Sequence, residues 1–417
     1  MPRRLWPIAK ALLLALLVLT IGWLGLAGGT KAGDKVPRAV APCAAVPPLV
    51  GGQQDAGPAL QACLDATPPH GAIALPAGRY RIGTPIHIRR AVTLTTRGLA
   101  RTAPSCFTNE RRCAVLHLAM IQADSPGSVM PVDVTSDGVR LDHLVFQGTR
   151  LSDPGGSAKR CTSEALRPMA GGVRVTGSDV VINGSVFRDM ACYTALEYGS
   201  GAGAVITDNA FLGNGTHNVL LGWADGLTIH TARKFRVLGN RFHDNTDVQL
   251  IFGSCVDCVV SDNVFTHGGA AAGGSFAELM LQAWPKATSG DYTGTQVTRN
   301  RIDCGTQRRC GFGIMIGSAP WYAAPAFGGA VTDNRVRGAM LALNVDTLTG
   351  PMTIERNDLA VSTGTYPGMC GPQRIESVAT NIVPAARLLM ARPVSGPTSA
   401  THYCILNYSL LPVTPVQ

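Results

Sequence analysis

Charge is scarce in this chain. Only 15% of its 417 residues are Asp, Glu, Lys or Arg, against 46% hydrophobic. Such a composition is not that of a disordered chain, because it holds enough apolar material for a long core. The 48 glycines and 27 prolines follow no G-X-Y period, which excludes collagen and leaves frequent turns as their meaning. No dense Lys/Arg run with interleaved aromatics occurs, so nucleic acid is not an expected partner. Long stretches of 3.6-residue periodicity are missing too. β-Branched residues, glycines and asparagines recur too often for extended helix.

The N-terminus carries one distinct signal. Residues 1–10 are basic and residues 11–27 (ALLLALLVLTIGWLGLA) are almost wholly apolar. This is the pattern of an export signal, with Gly25 and Ala27 as a small-x-small cleavage pair. At 17 residues the run is also just long enough for an uncleaved membrane anchor. Either way the positive flank stays inside and the body is expected in the periplasm, outside the cell or on the outer side of the cytoplasmic membrane. Cleavage would remove Arg3, Arg4 and Lys10 from a formal net charge of +9. The remaining positive balance suits an acidic polymer, or is simply a basic surface.

Twelve cysteines fit export, since an even set in an exported chain reads as disulfides. Sequence alone leaves the connectivity open. Neighbour pairing is the expectation: Cys43–Cys63, Cys106–Cys113, Cys161–Cys192, Cys255–Cys258, Cys304–Cys310 and Cys370–Cys404. Cys255 and Cys258 have CxxC spacing, for which zinc or redox chemistry is the alternative. No second close pair stands nearby at zinc-like spacing.

Internal repetition organises the rest. The segments VVINGSVF (180–187), AVITDNAF (204–211), FRVLGNRF (235–242), CVVSDNVF (258–265), TQVTRNRI (295–302), AVTDNRV (330–336) and MTIERNDL (352–359) align, after a degenerate copy at VRLDHLVF (139–146). Each joins a β-rich stretch to a corner residue (Ser185, Asn209, Asn240, Asn263, Asn300, Asn334, Asn357) and then to an apolar residue two places on. Asparagine tolerates a left-handed backbone, and its amide can bond to neighbouring coils. The apolar residues (Phe187, Phe211, Phe242, Phe265, Ile302, Val336, Leu359) are expected to stack inward. A second strand family is expected at 194–199, 217–222, 248–253, 277–282, 312–317 and 340–345.

Across 137–365 this pattern resembles the right-handed parallel β-helix of the pectate-lyase-like superfamily. The expected fold class is all-β, a right-handed parallel β-helix (solenoid) with a short N-terminal capping helix at Ala59–Ala66. The expected layout is a signal peptide or anchor at 1–27, a linker at 28–50, a cap and first coils at 51–136, repeats at 137–365 and a tail at 366–417. The stretch 224–254 is similar to calcium-dependent pectate lyases in its Asp-Gly-Leu, Asn-x-Phe-His-Asp and Leu-x-Gly elements. That likeness implies Asp225 as a calcium carboxylate, His243 and Asp244 at the groove edge, and a base from an Arg-rich strand. Only Arg308 and Arg309 match the last. The chain departs from the family where Ile229 replaces its second carboxylate and Asp247 its lysine.

A hydrolase would instead need two carboxylates about 5–9.5 Å apart. Asp225, Asp244, Asp247 and Glu278 are close enough in coil order to supply them. Asn245-Thr246-Asp247 and His267-Gly268 also resemble polygalacturonase motifs, without the paired aspartates between. For binding, an outward column is read as Ala195, Asn218, Gln249, Glu278, Gly313 and Met340, flanked by His217 and Asp247. His230 and Arg233 are candidates for uronate carboxylates, or are ordinary solvated residues. Trp223, Trp284, Trp321 and Tyr322 either wall a groove or cap coil edges. Two functions stay open: a polysaccharide lyase or glycosidase, and a non-catalytic polysaccharide-binding or envelope protein.

Overall fold

The structure, a computed structural model, describes Cys43 and residues 54–120, 129–216, 221–268, 275–282, 284, 287–305, 310–317, 326–339, 341–345, 348–359, 364–366 and 373–375. The expected signal or anchor, the linker and most of the tail lie outside these residues. Among the described residues no helix is long and apolar enough to cross a membrane.

Short strands, many only three residues long, build three parallel sheets. The first runs through ten strands from Ala72–Leu75 to Thr353–Glu355, and the second through ten from Gly78–Ile82 to Asp358–Leu359. The third runs through nine, from Ile86–Ile88 to Leu341–Val345. Each coil contributes one strand to each sheet and pairs in register with the coils on either side, as in Val205↔Arg236, Phe211↔Phe242 and Leu227↔Leu250. Strands Gly364–Tyr366 and Gln373–Ile375 form a separate antiparallel pair.

One continuous core fills the space between the sheets. Phe146, Phe187, Phe211, Phe242 and Phe265 stack as a column, with ring centroids 4.9, 5.0, 4.8 and 4.7 Å apart and planes within 13° of parallel. Ile302 and Val336 extend it. Parallel rings at about the coil spacing follow from the backbone ladder, which sets every column at about 4.8 Å.

The asparagines line the corner between the first and second sheets. Each side-chain amide donates to the carboxamide oxygen one coil on: Asn209 to Asn240 at 3.0 Å, Asn240 to Asn263 at 3.0 Å, and Asn263 to Asn300, Asn300 to Asn334 and Asn334 to Asn357 at 2.9 Å. It also donates to a carbonyl of the preceding coil, as Asn263 does to Val237 at 3.0 Å. The expectation that asparagine adopts the left-handed backbone is corrected. That conformation belongs to the residue before it: Asp208, Gly239, Asp262, Arg299, Asp333 and Arg356, with φ between 54° and 64°. The turn is made one position early, which frees the asparagine to point inward and bond.

Helix α1 (Gly57–Ala66) closes the N-terminal end, two residues longer at its start than the sequence suggests. Leu60, Cys63 and Leu64 bury against the core, and Gln61 satisfies the open strand edge. Its amide donates to the His87 carbonyl at 3.0 Å and accepts from the His87 N–H at 2.8 Å. An uncapped edge would leave those groups free to pair with another chain. Five disulfides join neighbours as expected: Cys43–Cys63, Cys106–Cys113, Cys161–Cys192, Cys255–Cys258 and Cys304–Cys310. Cys370 and Cys404 lie outside the described residues.

One register is corrected. The third-sheet strand between Tyr193–Ala202 and Val248–Val256 is Ala224–Arg233, not 217–222. The expected outward column is therefore wrong at two rungs. Gly226 takes the place given to Asn218, and Ala342, the neighbour of Leu341 and Leu343, takes that given to Met340. Nor is the column a solvent-facing strip, since Gln249 and Glu278 are wholly buried. At Gly226 a Cβ would sit 2.5 Å from the Gln249 carbonyl and 3.1 Å from the Phe242 ring, so no other residue fits.

Removing one rung of the ladder should be felt through the stack. Asn263→Ala strands the Val237 carbonyl and the Asn240 amide, and should lower stability by roughly 2–5 kcal/mol in chemical denaturation of the full chain. A loss under about 0.5 kcal/mol would show the ladder to be incidental.

Candidate functional site

The residues proposed from sequence fall into two separate clusters. The first lies on the outward face of the third sheet. Asp225 opens strand Ala224–Arg233, and Asp247 immediately precedes strand Val248–Val256 of the next coil. Both are half-buried. Asp225 accepts from the Val248 N–H at 3.1 Å and from the Thr228 hydroxyl at 2.8 Å, and Thr228 meets Thr194 at 3.0 Å. Burial, and then the Asp247 charge, push the Asp225 carboxyl well above its ordinary range. Burial raises Asp247 to about 6 against the pull of the Arg167 charge. The Arg167 charge, on the short turn Arg167–Ala170, acts on both acids, and its buried Nε has no hydrogen-bond partner.

Beside this pair stands Glu197. It accepts from Arg174 Nε at 2.6 Å and the Tyr193 hydroxyl at 3.1 Å, and contacts His230 Nε2 at 3.1 Å. Burial would raise its carboxyl, but the bond to His230 and the charge and bond of Arg174 hold it below the usual value. Trp284 stacks on His230, with centroids 4.5 Å apart and planes 26° from parallel. The face therefore offers an acid pair, a fixed ion cluster and an aromatic platform.

The second cluster is buried. His267, with no side-chain exposure, lies between two carboxylates: Nδ1 is 3.0 Å from Asp244 and Nε2 is 2.7 Å from Glu278. Burial pulls its pKa down, but the Glu278 charge and the bonds to both acids outweigh that and hold it at about 9. As an imidazolium it donates from both nitrogens. Ser275 donates to Glu278, and Gln249 donates to it at 2.8 Å. Gln249 in turn accepts from Asn245 at 2.6 Å, and Asn214 donates to Asn245 at 2.6 Å. A second amide ladder, not anticipated from sequence, thus runs into the acid–histidine–acid row. Only His243, 44% exposed and 3.2 Å from Asp244, brings this row to the surface.

Asp225 and Asp247 are thus brought near each other and His230 lies farther along the strand of Asp225 against Glu197, while Asp244, Gln249 and Glu278 sit within the wall. Gln249 and Glu278 are inaccessible to a polymer. Arg233 is exposed at the far end of its strand. His217, Asn218, Arg308, Arg309, Trp321 and Tyr322 lie outside the described residues. Sequence reading missed Glu197, Arg174, Tyr193, Thr194, Thr228 and Arg167. Taking 224–233 as a strand would have aligned Glu197 with Thr228, and VRV at 173–175 with it.

Calcium does not fit Asp225 well. The ion needs 6–8 oxygens, whereas both oxygens of Asp225 already accept hydrogen bonds and Arg167 adds positive charge. Among the described residues, no group of three acidic, histidine or cysteine ligands includes Asp225. The one group that does occur, Glu278 with Cys304 and Cys310, has its sulfurs in a disulfide.

The His267 row makes stability depend on pH with a definite sign. The folded pKa lies above the unfolded value of about 6.5, so its contribution is complete below that value and is lost as pH rises through about 9. A His267→Gln variant should be less stable by roughly 3–5 kcal/mol at pH 6, with the gap closing toward pH 10 in denaturant titrations. A gap that does not change with pH would refute the imidazolium assignment.

Residues 153–280 match the family model described as the right handed beta helix region. No curated protein matches the chain. Among solved structures, the Dettilon tailspike protein is 13% identical, with 72% of this chain and 62% of that one covered and a TM-score of 0.44. A surface adhesin of Streptococcus pneumoniae is 10% identical over 80% of this chain and 99% of that one, with a TM-score of 0.46. An exopolygalacturonase from Thermotoga maritima is 12% identical over 73% and 76%, with a TM-score of 0.37. The chain spans less than two thirds of the tailspike's length. Likeness at these levels assigns no activity. Three parallel sheets and the matched region together make this protein a right-handed parallel β-helix.

Proposed function

We propose that the protein is an exported polysaccharide-processing β-helix that cleaves a glycosidic bond at the Asp225–Asp247 pair. One observation carries the reading: two half-buried carboxylates from successive coils of the third sheet feel each other's charge, and both are held above the ordinary range. Two like-charged acids in one site ionise in steps as a unit, so one keeps a proton near neutral pH while the other is ionised. Hydrolysis of a sugar linkage uses that division of labour. The protonated carboxyl gives its proton to the leaving oxygen as the carbon–oxygen bond breaks. The ionised carboxylate takes a proton from the water that adds to the anomeric carbon.

The surroundings support a saccharide as the substrate. Trp284 on His230 offers a face for a sugar ring, and the charge of Arg167 favours acidic units. Export is supported by the five disulfides, which persist in oxidising compartments. A non-catalytic binding role is the second reading. Glu197, locked by three partners, favours it, because a rigid platform binds without turnover.

Incubation with a panel of neutral and uronic-acid polysaccharides, read as reducing ends and as new unsaturated products, separates the readings. Asp225→Asn and Asp247→Asn should each cut the release of reducing ends by about 10²–10⁴-fold while leaving polymer binding in place. The wild-type rate should fall at alkaline pH, as the proton shared by the pair is lost. Binding without any product supports the second reading. Unsaturated products that survive both substitutions would contradict hydrolysis at this pair.

A further inference from the structure

A cavity of about 830 Å³ opens on another part of the surface, where the second sheet meets the chain inserted between Gln147 and Val173. Arg81 and His117, from adjacent strands of that sheet, form one side. Helix α2 (Pro154–Cys161) and the loop before it form the other, with Lys159, Arg160, Ser152 and Asp153. Asp153 caps the helix by accepting from the Gly156 N–H at 3.0 Å, and is 3.5 Å from Arg160. Its single charge does not balance three cations.

Arg160 is the telling residue. Its side chain is only 10% exposed. Its terminal nitrogens donate to the Met120 carbonyl at 3.2 Å and to Thr149 at 2.9 Å, yet its buried Nε has no partner. A buried charged donor left unpaired is costly, and native structures rarely keep one without a reason. Arg81 and Lys159 make no ion pair among the described residues, and Arg79 adds positive charge along the same sheet, whereas Arg188 is paired with Glu110 at 2.9 Å and Asp189 at 2.6 Å. His117 registers the field. Burial, then the charges of Arg79, Arg81 and Arg188, outweigh the opposing charge of Asp189 and hold its pKa down at about 4. It is neutral at pH 7 and lies 2.9 Å from the Ser152 hydroxyl, so it serves as a hydrogen-bonding group and not as a cation.

We infer that this cavity is a binding site for a small hydroxylated organic anion, a uronate or a sugar phosphate. Its volume is within the range of small-molecule pockets and far exceeds a bare ion. Arg81, Lys159 and Arg160 meet the anionic group. Ser152 and His117 meet hydroxyls, and Met120 and Met169 lie against a ring face. Neither Asp225 nor Asp247 lines the cavity, although its Leu166 and Met169 flank Arg167, and anion binding there does not depend on cleavage at the pair.

Calorimetric titration of the full chain at low salt with glucuronate, glucose 6-phosphate and glucose tests this. At least one anionic probe should saturate, glucose should bind at least about tenfold more weakly, and Arg81→Gln and Lys159→Gln should each weaken the anion by about tenfold. Asp225→Asn should leave that affinity unchanged. The preferred probe tells a carboxylate from a phosphate ligand. Lys159 is exposed, so its substitution tests the site without threatening the fold. No saturation by either anion below about 10 mM, equal binding of glucose, unchanged affinity in both variants, or loss in Asp225→Asn would each overturn the inference.

Discussion

Backbone hydrogen bonds between successive coils fix their separation, and with it the spacing of every column of side chains. Whatever occupies a position on one coil stands about 4.8 Å from its counterpart on the next. Flat rings suit that spacing, and Phe146 through Phe265 fill a column with nearly parallel rings. Carboxamides suit it as well, because each presents a donor on one side and an acceptor on the other. The ladder from Asn209 to Asn357 is therefore the polar counterpart of the phenylalanine stack. Neither column could form if a coil slipped by one residue, since each in-pointing group would turn outward.

The same constraint produces chemistry when a column holds charge. Asp247 stands one coil on and one position before the Val248 counterpart of Asp225, and its charge adds to burial in keeping Asp225 from ionising. Opposite charges brought together in this way lock. Glu197 is fixed by Arg174 from the coil before and His230 from the coil after. The buried row of Asp244, His267 and Glu278 resolves the matter differently, by placing a cation between two acids. A half-buried acid pair, a neutralised ion cluster and a buried imidazolium thus come from one architecture and differ only in which residues the sequence puts on successive coils.

Much of the fold is legible in the sequence because a corner motif recurs seven times with its apolar partner two places on. The five neighbouring disulfides are legible because each joins cysteines that follow one another in the chain, three of them at separations of 7, 3 and 6 residues. The functional face is less so. HNVLLG at 217–222 has the apolar pattern of a strand as strongly as ADGLTIHTAR does. Pairing with Tyr193–Ala202 decides between them, and pairing is not written in local pattern. That one choice moved Glu197, Thr228 and His230 out of alignment and hid their common face. Gln249 and Glu278 were misjudged because polar residues usually mark solvent, whereas here the interior supplies Asn245 and His267 as partners.

Carboxyl-detected NMR titration of Asp225 and Asp247, assigned with the two single Asn variants, tests the account most directly. Burial of both acids on neighbouring coils predicts an Asp247 midpoint of about 6 and an Asp225 midpoint also above the ordinary carboxylate range. It further predicts that Asp247→Asn lowers the Asp225 midpoint. Two independent titrations near about 4, each indifferent to the other's removal, would contradict it.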